Sequence, residues 1–205
     1  MLHIVKTLIV MMVVWGAPMT QASAEEVSPK TVVETAVNGI VEVLKHRSHS
    51  DSLTEEDRKA IRQQVNGRFD YEEMARRSVG ADWDTQSADK QAAFTAVFRD
   101  LLEYTYGNRL ASYKNQSIVF EDAEFKRDKA RVQTRVIDGS KETPVDYRLY
   151  QNNQVWMVYD IKIEGVSLVG TFRQDFKSSL MRDGFDGLLS ALKDKVSKMK
   201  EKDAA

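Results

Sequence analysis

Residues Ala130 to Ile163 read ARVQTRVIDGSKETPVDYRLYQNNQVWMVYDIKI, and apolar residues recur in them at every second position. Val132, Thr134 and Val136 alternate with Arg131, Gln133 and Arg135. Val145, Tyr147 and Leu149 alternate with Asp146, Arg148 and Tyr150. Period two belongs to a strand with one apolar face. Asp138-Gly139-Ser140 and Asn152-Asn153 supply turn chemistry between these runs. The last run, Val155 to Ile163, offers two faces: Val155, Met157, Tyr159, Ile161 and Ile163, or Trp156, Val158, Asp160 and Lys162. A further strand is predicted upstream, from Ile118 to Phe125. Four strands joined by short turns make an antiparallel meander.

On both sides the period changes to 3.6. Upstream, Ser28 caps and Pro29 starts a helix whose stripe is Val33, Ala36, Val37, Ile40, Val41 and Leu44. A polar loop from His46 to Ser52 follows, and Thr54 caps a second helix with Glu55, Glu56 and Asp57 at its positive end. A third helix is predicted from near Asp70 to Gly80. Ser87 caps a fourth, faced by Phe94, Val97, Phe98, Leu101 and Leu102. Downstream, helices are predicted from Leu168 to Met181 and from Phe185 to about Met199, separated near Gly184. Helices, then strands, then helices define an α+β fold with helices packed on a curved four-stranded antiparallel sheet.

The first 24 residues are set apart from that fold. A weakly basic start, an apolar run from Leu8 to Met19 and the small-residue site Ala22-Ser23-Ala24 are those of a cleavable secretory signal peptide. The expected division is 1–24 as signal peptide and 25–205 as one domain with a polar C-terminal tail. The run is short of the roughly 20 residues of a membrane span. The chain has no cysteine, so packing alone must hold it together in an oxidising compartment. Its 30 basic and 31 acidic residues argue against nucleic acid as a partner.

Catalytic patterns are sparse. His46 and His49, with Asp51, lack an evident fourth metal ligand and sit in a Ser-rich loop. Gly165-Val166-Ser167 is a weak echo of a nucleophile elbow, and no Gly-rich phosphate loop or dinucleotide fingerprint is present. Asp160 reads first as a hydrogen-bonded structural carboxylate and second as a buried catalytic one. No cofactor, metal or catalytic residue is assigned, and the chain is not expected to be an enzyme. Aromatic residues with polar tips suit a site that is apolar within and wet at its mouth, but they also fill ordinary cores. Periodicity leaves a filled interior and a cavity both open.

Two motif groups resemble the MlaC family, also called the toluene-tolerance or ABC-transporter auxiliary family. The first is Phe69-Asp70-Tyr71-Glu72-Glu73-Met74-Ala75, then Gly80, Trp83, Phe94, Phe98, Leu101 and Leu102, continued by Tyr106, Leu110 and Tyr113. The second, more specific, is Trp156-x-x-Tyr159-Asp160-Ile161-x-x-Glu164-Gly165-Val166-Ser167-Leu168. It leads to Thr171-Phe172-Arg173-x-x-Phe176 and Gly184-Phe185-Asp186-Gly187-Leu188-Leu189. The resemblance implies an NTF2-like or cystatin-like fold around a lipid cavity. It also implies a periplasmic phospholipid shuttle between an outer-membrane lipoprotein–porin complex and the MCE-domain subunit of an inner-membrane ABC transporter. Hopanoid-type lipids are the alternative cargo, and an enzyme on an NTF2-like scaffold the alternative function. Apolar character on faces between sheet and helices then selects Tyr104, Tyr147, Leu149, Trp156, Val158, Val166, Leu168 and Phe172 as expected lipid-binding residues.

Overall fold

The computed structural model describes residues 27–49 and 52–203; the expected signal peptide with its Ala22-Ser23-Ala24 site, and Asp51, lie outside them. Five helices and six strands follow in the order α1 (Pro29–His46), α2 (Glu55–Val65), α3 (Tyr71–Val79), α4 (Ala88–Ala111), β1 (Ser117–Phe120), β2 (Glu124–Lys126), β3 (Lys129–Asp138), β4 (Lys141–Asn152), β5 (Val155–Ile163), β6 (Val166–Ser167) and α5 (Leu168–Asp203). A short 3-10 turn, Ala81–Trp83, precedes α4.

The sheet is antiparallel in the order β1-β3-β4-β5-β6, with β2 also on β3. The meander predicted from alternation is there, with six strands rather than four. The expected first strand, Ile118 to Phe125, is interrupted: Phe120 pairs with Thr134 and Glu124 with Arg131, so one extra residue is accommodated between them. Its charges have partners elsewhere, Asp122 with Lys30 of α1 at 2.8 Å and Glu121 with Arg135 at 3.0 Å. The sixth strand is the two-residue return after Glu164 and Gly165, both at positive φ as a tight hairpin turn requires.

The helix starts follow their caps. Ser28 Oγ accepts from Thr31 N, and Thr54 and Asp57 form a reciprocal capping box. Asp70 caps α3, and its backbone N donates to Val158 O while Val158 N donates to Arg68 O. That pairing fastens the α2–α3 connection to the free edge of β5. α5 is two helical runs broken at Gly184 (φ 67, ψ −171), a conformation open in practice to glycine alone.

Two large interiors result, beside a small cluster of Leu44, Leu53, Ile61 and Ala111. Between α3, α4 and α5, Phe94, Phe98, Phe172, Phe176 and Phe185 interlock with centroids 5.2–6.2 Å apart, half of the pairs edge to face, and Trp83 closes one end. Between α1 and the sheet, Val32, Val33 and Val37 pack on Ala130, Val132, Leu149, Trp156 and Val158. Arg58, 4% exposed on α2, reaches Asp203 at the end of α5 at 2.5 Å and ties α2 to α5.

Candidate functional site

Beyond Val37, α1 and the sheet diverge. The α1 stripe continues as Ile40, Val41 and Leu44; toward the sheet these line open space rather than strand side chains, while Leu44 also packs on Leu53, Ile61 and Ala111. The space is a cavity of about 430 Å³, bounded by α1 and α2 on one side, the second half of α4 on another and the sheet below. Its sheet wall is Ile118, Val136, Val145, Tyr147, Ile161 and Ile163.

A β-bulge lies at the edge of that wall. Arg148 pairs with Asp160 and Leu149 with Val158, so Tyr159 is an extra residue in β5. Before the bulge the even-numbered Trp156 and Val158 face α1; after it the odd-numbered Ile161 and Ile163 share a face with Tyr147. Tyr159 stacks edge to face on Tyr150 and lies under the Arg77 guanidinium, 4.2 Å from the ring centroid. Strict alternation over Val155 to Ile163 predicts one inward face; the strand uses both in turn.

Past the same bulge, Asp160 faces away from the cavity. Asp160 accepts hydrogen bonds from Ser167 Oγ (2.7 Å) and Val169 N (3.2 Å), and Arg148 lies 3.4 Å away. A carboxylate placed this way satisfies backbone donors at the start of α5 and favours its positive end.

The walls are mainly hydrocarbon, with polar groups at two places. On the α2–α4 side, Arg62 donates to Glu103 at 2.6 Å. Burial pushes the Glu103 carboxyl up, and the Arg62 guanidinium only partly offsets this. Burial pulls Arg62 down, but the Glu103 and Glu55 carboxylates outweigh it and hold it above its ordinary value. At the other place Arg109, Ser112 and Gln116, at the end of α4 and just past it, come near Asp138, Lys141 and Thr143 of the β3–β4 hairpin. Arg47 organises this rim: its guanidinium donates to Leu44 O, Ala111 O and Tyr113 O, tying the last turns of α1 and α4 together. Gln116 Nε2 donates to Asp138 Oδ2 at 3.2 Å and links the post-α4 loop to the hairpin.

The eight expected lipid-binding residues fall in different places. Tyr147 and Leu168 line the cavity. The Tyr147 hydroxyl has no hydrogen-bond partner among the described residues, and burial pushes its pKa up to about 12. Leu149, Trp156 and Val158 lie in the adjoining packing under α1, and Phe172 in the aromatic helical interior. Val166 is 60% exposed on β6. Tyr104 sits at the outer surface, donating to Glu55 and covered by Arg58 at 4.2 Å. The cavity side chains that periodicity missed are Ile161 and Ile163, hidden by the bulge, and the α1 residues Ile40 and Val41, which read as ordinary core. Among the described residues no group of acidic and histidine side chains is arranged to hold a metal, and His46 Nδ1 lies 2.8 Å from Glu42 O of its own helix.

Comparison with known proteins gives a consistent picture. The family model described as MlaC protein matches residues 34–194. The chain is 22% identical over 185 residues to the intermembrane phospholipid transport system binding protein MlaC of Haemophilus influenzae, spanning 87% of this chain and 86% of that protein. It is 27% identical over 100 residues to the toluene tolerance protein ttg2D of Pseudomonas putida, 48% of this chain and 46% of that one. A solved structure of a phospholipid-binding protein from Ralstonia solanacearum, in complex with a phospholipid, shares the fold with a TM-score of 0.77 at 22% identity, covering 84% of this chain and 99% of that chain.

Proposed function

Since this chain belongs to the MlaC family, we propose that it is a lipid carrier of the periplasm that shuttles phospholipid between the outer and inner membranes for an Mla-type ABC transport system. The observation that carries the reading is the cavity of about 430 Å³, walled by Ile40, Val41, Val145, Ile161 and Ile163 and open at a polar rim. Residues 25–205 would act as one lipid-binding domain behind a cleaved leader. Its partners would be the MCE-domain subunit of the inner-membrane transporter and an outer-membrane lipoprotein–porin complex.

The energetics suit a carrier. A diacyl lipid exposes roughly 30 methylenes, and at about 0.8 kcal/mol each their hydration opposes free passage through water by on the order of 20 kcal/mol. Transfer from a bilayer to a hydrocarbon-lined cavity is nearly balanced, because both surroundings are dry. The protein therefore lowers a barrier without chemistry of its own, and direction comes from its partners. The cavity is smaller than the roughly 1,000 Å³ at the upper end of ligand pockets. Two acyl chains would enter only as α2 and α4 move apart.

Mass spectrometry of the purified protein tests the proposal: phospholipid should accompany it at about one molecule per chain. Lipid-free protein that also extracts none from vesicles would refute it. Turnover of a phospholipid that is lost in Asp160→Asn, with lipid still bound, would favour the enzymatic alternative.

A further inference from the structure

Two helices, α2 and α4, would have to part for two acyl chains to enter, and polar side chains join them. Beside the small cluster of Leu44, Leu53, Ile61 and Ala111, they are held by Tyr104 donating to Glu55 at 2.5 Å and Arg62 donating to Glu103 at 2.6 Å. Arg62 and Glu103 line the chamber. One turn back along α2, Arg58 makes a third tie, and that tie depends on a third helix.

The Arg58 guanidinium crosses to α4. It lies 4.2 Å from the centroid of the Tyr104 ring, and its Nη1 is 3.4 Å from Glu103 O. Gly107 makes its seat: a Cβ at that position would stand 2.7 Å from Nη1, closer than packed atoms come. The seat is dry, with Arg58 4% exposed and its Nε without a hydrogen-bond partner among the described residues. The close counter-ion is Asp203, at 2.5 Å; Glu55 is 4.0 Å away and already accepts from the Tyr104 hydroxyl. A buried guanidinium that loses its carboxylate is left as an uncompensated charge and is driven toward water. Asp203 therefore decides whether Arg58 stays on α4.

The rest of α5 holds Asp203 in place. Leu192 and Val196 are buried in the aromatic interior, and Lys200 donates to Asp100 of α4 at 2.7 Å. The sequence reads this end of the chain as a polar tail, yet it is helical as far as Asp203.

We propose that the last turn of α5 is a strap across the helical side of the chamber. With Asp203 on Arg58, the start of α2 is fastened to α4; release of the strap lets α2 swing out and admit or free the cargo. This rests on the carrier reading. It makes the rate of cargo exchange depend on a contact outside the chamber as well as on the wall side chains.

The test uses the full-length protein in two forms. Lipid-free protein is followed by hydrogen exchange, and protein loaded with fluorescent phosphatidylglycerol by stopped-flow transfer to acceptor vesicles. Asp203→Ala removes the strap at the end of the chain. Gly107→Ala leaves the strap and blocks the seat, a change that α4 itself favours. Each should lower protection of the α2 amides about ten-fold or more and raise the transfer rate by a similar factor, with protection from Phe94 to Phe98 unchanged. Asp203→Glu, which keeps the carboxylate, should return both readouts most of the way to wild type. Glu201→Ala, which loses only a bond from Ser197 at 3.2 Å, should leave them there. Wild-type protection and transfer in both Asp203→Ala and Gly107→Ala would overturn the strap. So would protection lost equally in α2 and in the aromatic interior, since Asp203 would then serve overall stability alone. Wild-type protein that takes up no lipid would instead overturn the carrier reading, and hydrogen exchange in the lipid-free protein would still decide the strap.

Discussion

The two interiors of this protein bury apolar residues to different ends. Between α3, α4 and α5 the buried side chains include five phenylalanines, whose rings interlock at 5.2–6.2 Å among leucines and valines. Between α1, α2, α4 and the sheet they are mainly aliphatic, and beyond Val37 they face space. The first interior is closed on itself and supplies rigidity. The second is left unfilled, and its helical walls are tied to one another by Arg47 at the rim and by the Arg62–Glu103 pair on the far side. An open chamber is therefore underwritten by dense packing next door: interiors gain from close contact, and a wall atom facing a void forgoes it.

That contrast can be broken most sharply at the aromatic interior. Phe98→Ala should destabilise the lipid-free protein by about 3–5 kcal/mol, because the neighbouring rings cannot collapse into the hole. Denaturant unfolding checks it, and a loss below that of an ordinary surface substitution would contradict the picture. Gly184→Ala comes next, at roughly 1–3 kcal/mol, since alanine does not tolerate the backbone there; the far half of α5 should lose hydrogen-exchange protection first. Ile161→Ala on the cavity wall should cost only about 1–2 kcal/mol, because one side of the side chain already meets space. The same variant should retain less lipid than Val166→Ala, whose parent residue is exposed on β6. Equal lipid in the two would remove Ile161 from the cargo site.

The smallest effect is electrostatic. Burial holds the Glu103 carboxyl above its unfolded value, so between those values the folded state keeps a proton that the unfolded chain has released. Stability contributed by this group is present below the ordinary carboxylate range and falls as pH rises through the raised folded value. Glu103→Gln should flatten that fall in melts taken across the window; an unchanged slope would assign the pH dependence elsewhere.

Much of the fold was legible because it is written locally. Ser28-Pro29, Thr54, Asp70 and Gly184 mark helix ends by chemistry within a turn of where they act, and alternation along β3 and β4 places their faces. The cavity was not legible in the same way. Ile40 and Val41 have the same spacing whether they meet a neighbour or a void, so only the divergence of α1 from the sheet separates the two cases. Tyr104 shows a different limit: it is aromatic on an amphipathic helix, yet its hydroxyl is drawn outward by Glu55 and its ring is capped by Arg58. Trp156 and Val158 were placed by an alternation that holds only as far as Tyr159.

Tyr159 also shows how this family member can change. Point substitutions along β5 alter one wall position at a time, whereas the bulge holds one residue more than the ladder counts. Tyr159 is the residue the ladder skips: without it Val158, Asp160 and Ile161 would still stand opposite Leu149, Arg148 and Tyr147, so Ile161 and Ile163 would stay inward and Asp160 outward. Its loss would cost the ring that meets Tyr150 and underlies Arg77, and would leave the oil-lined wall and the strand pairing as they are. The bulge is thus a spare count in the strand, and the greasy vessel does not depend on it.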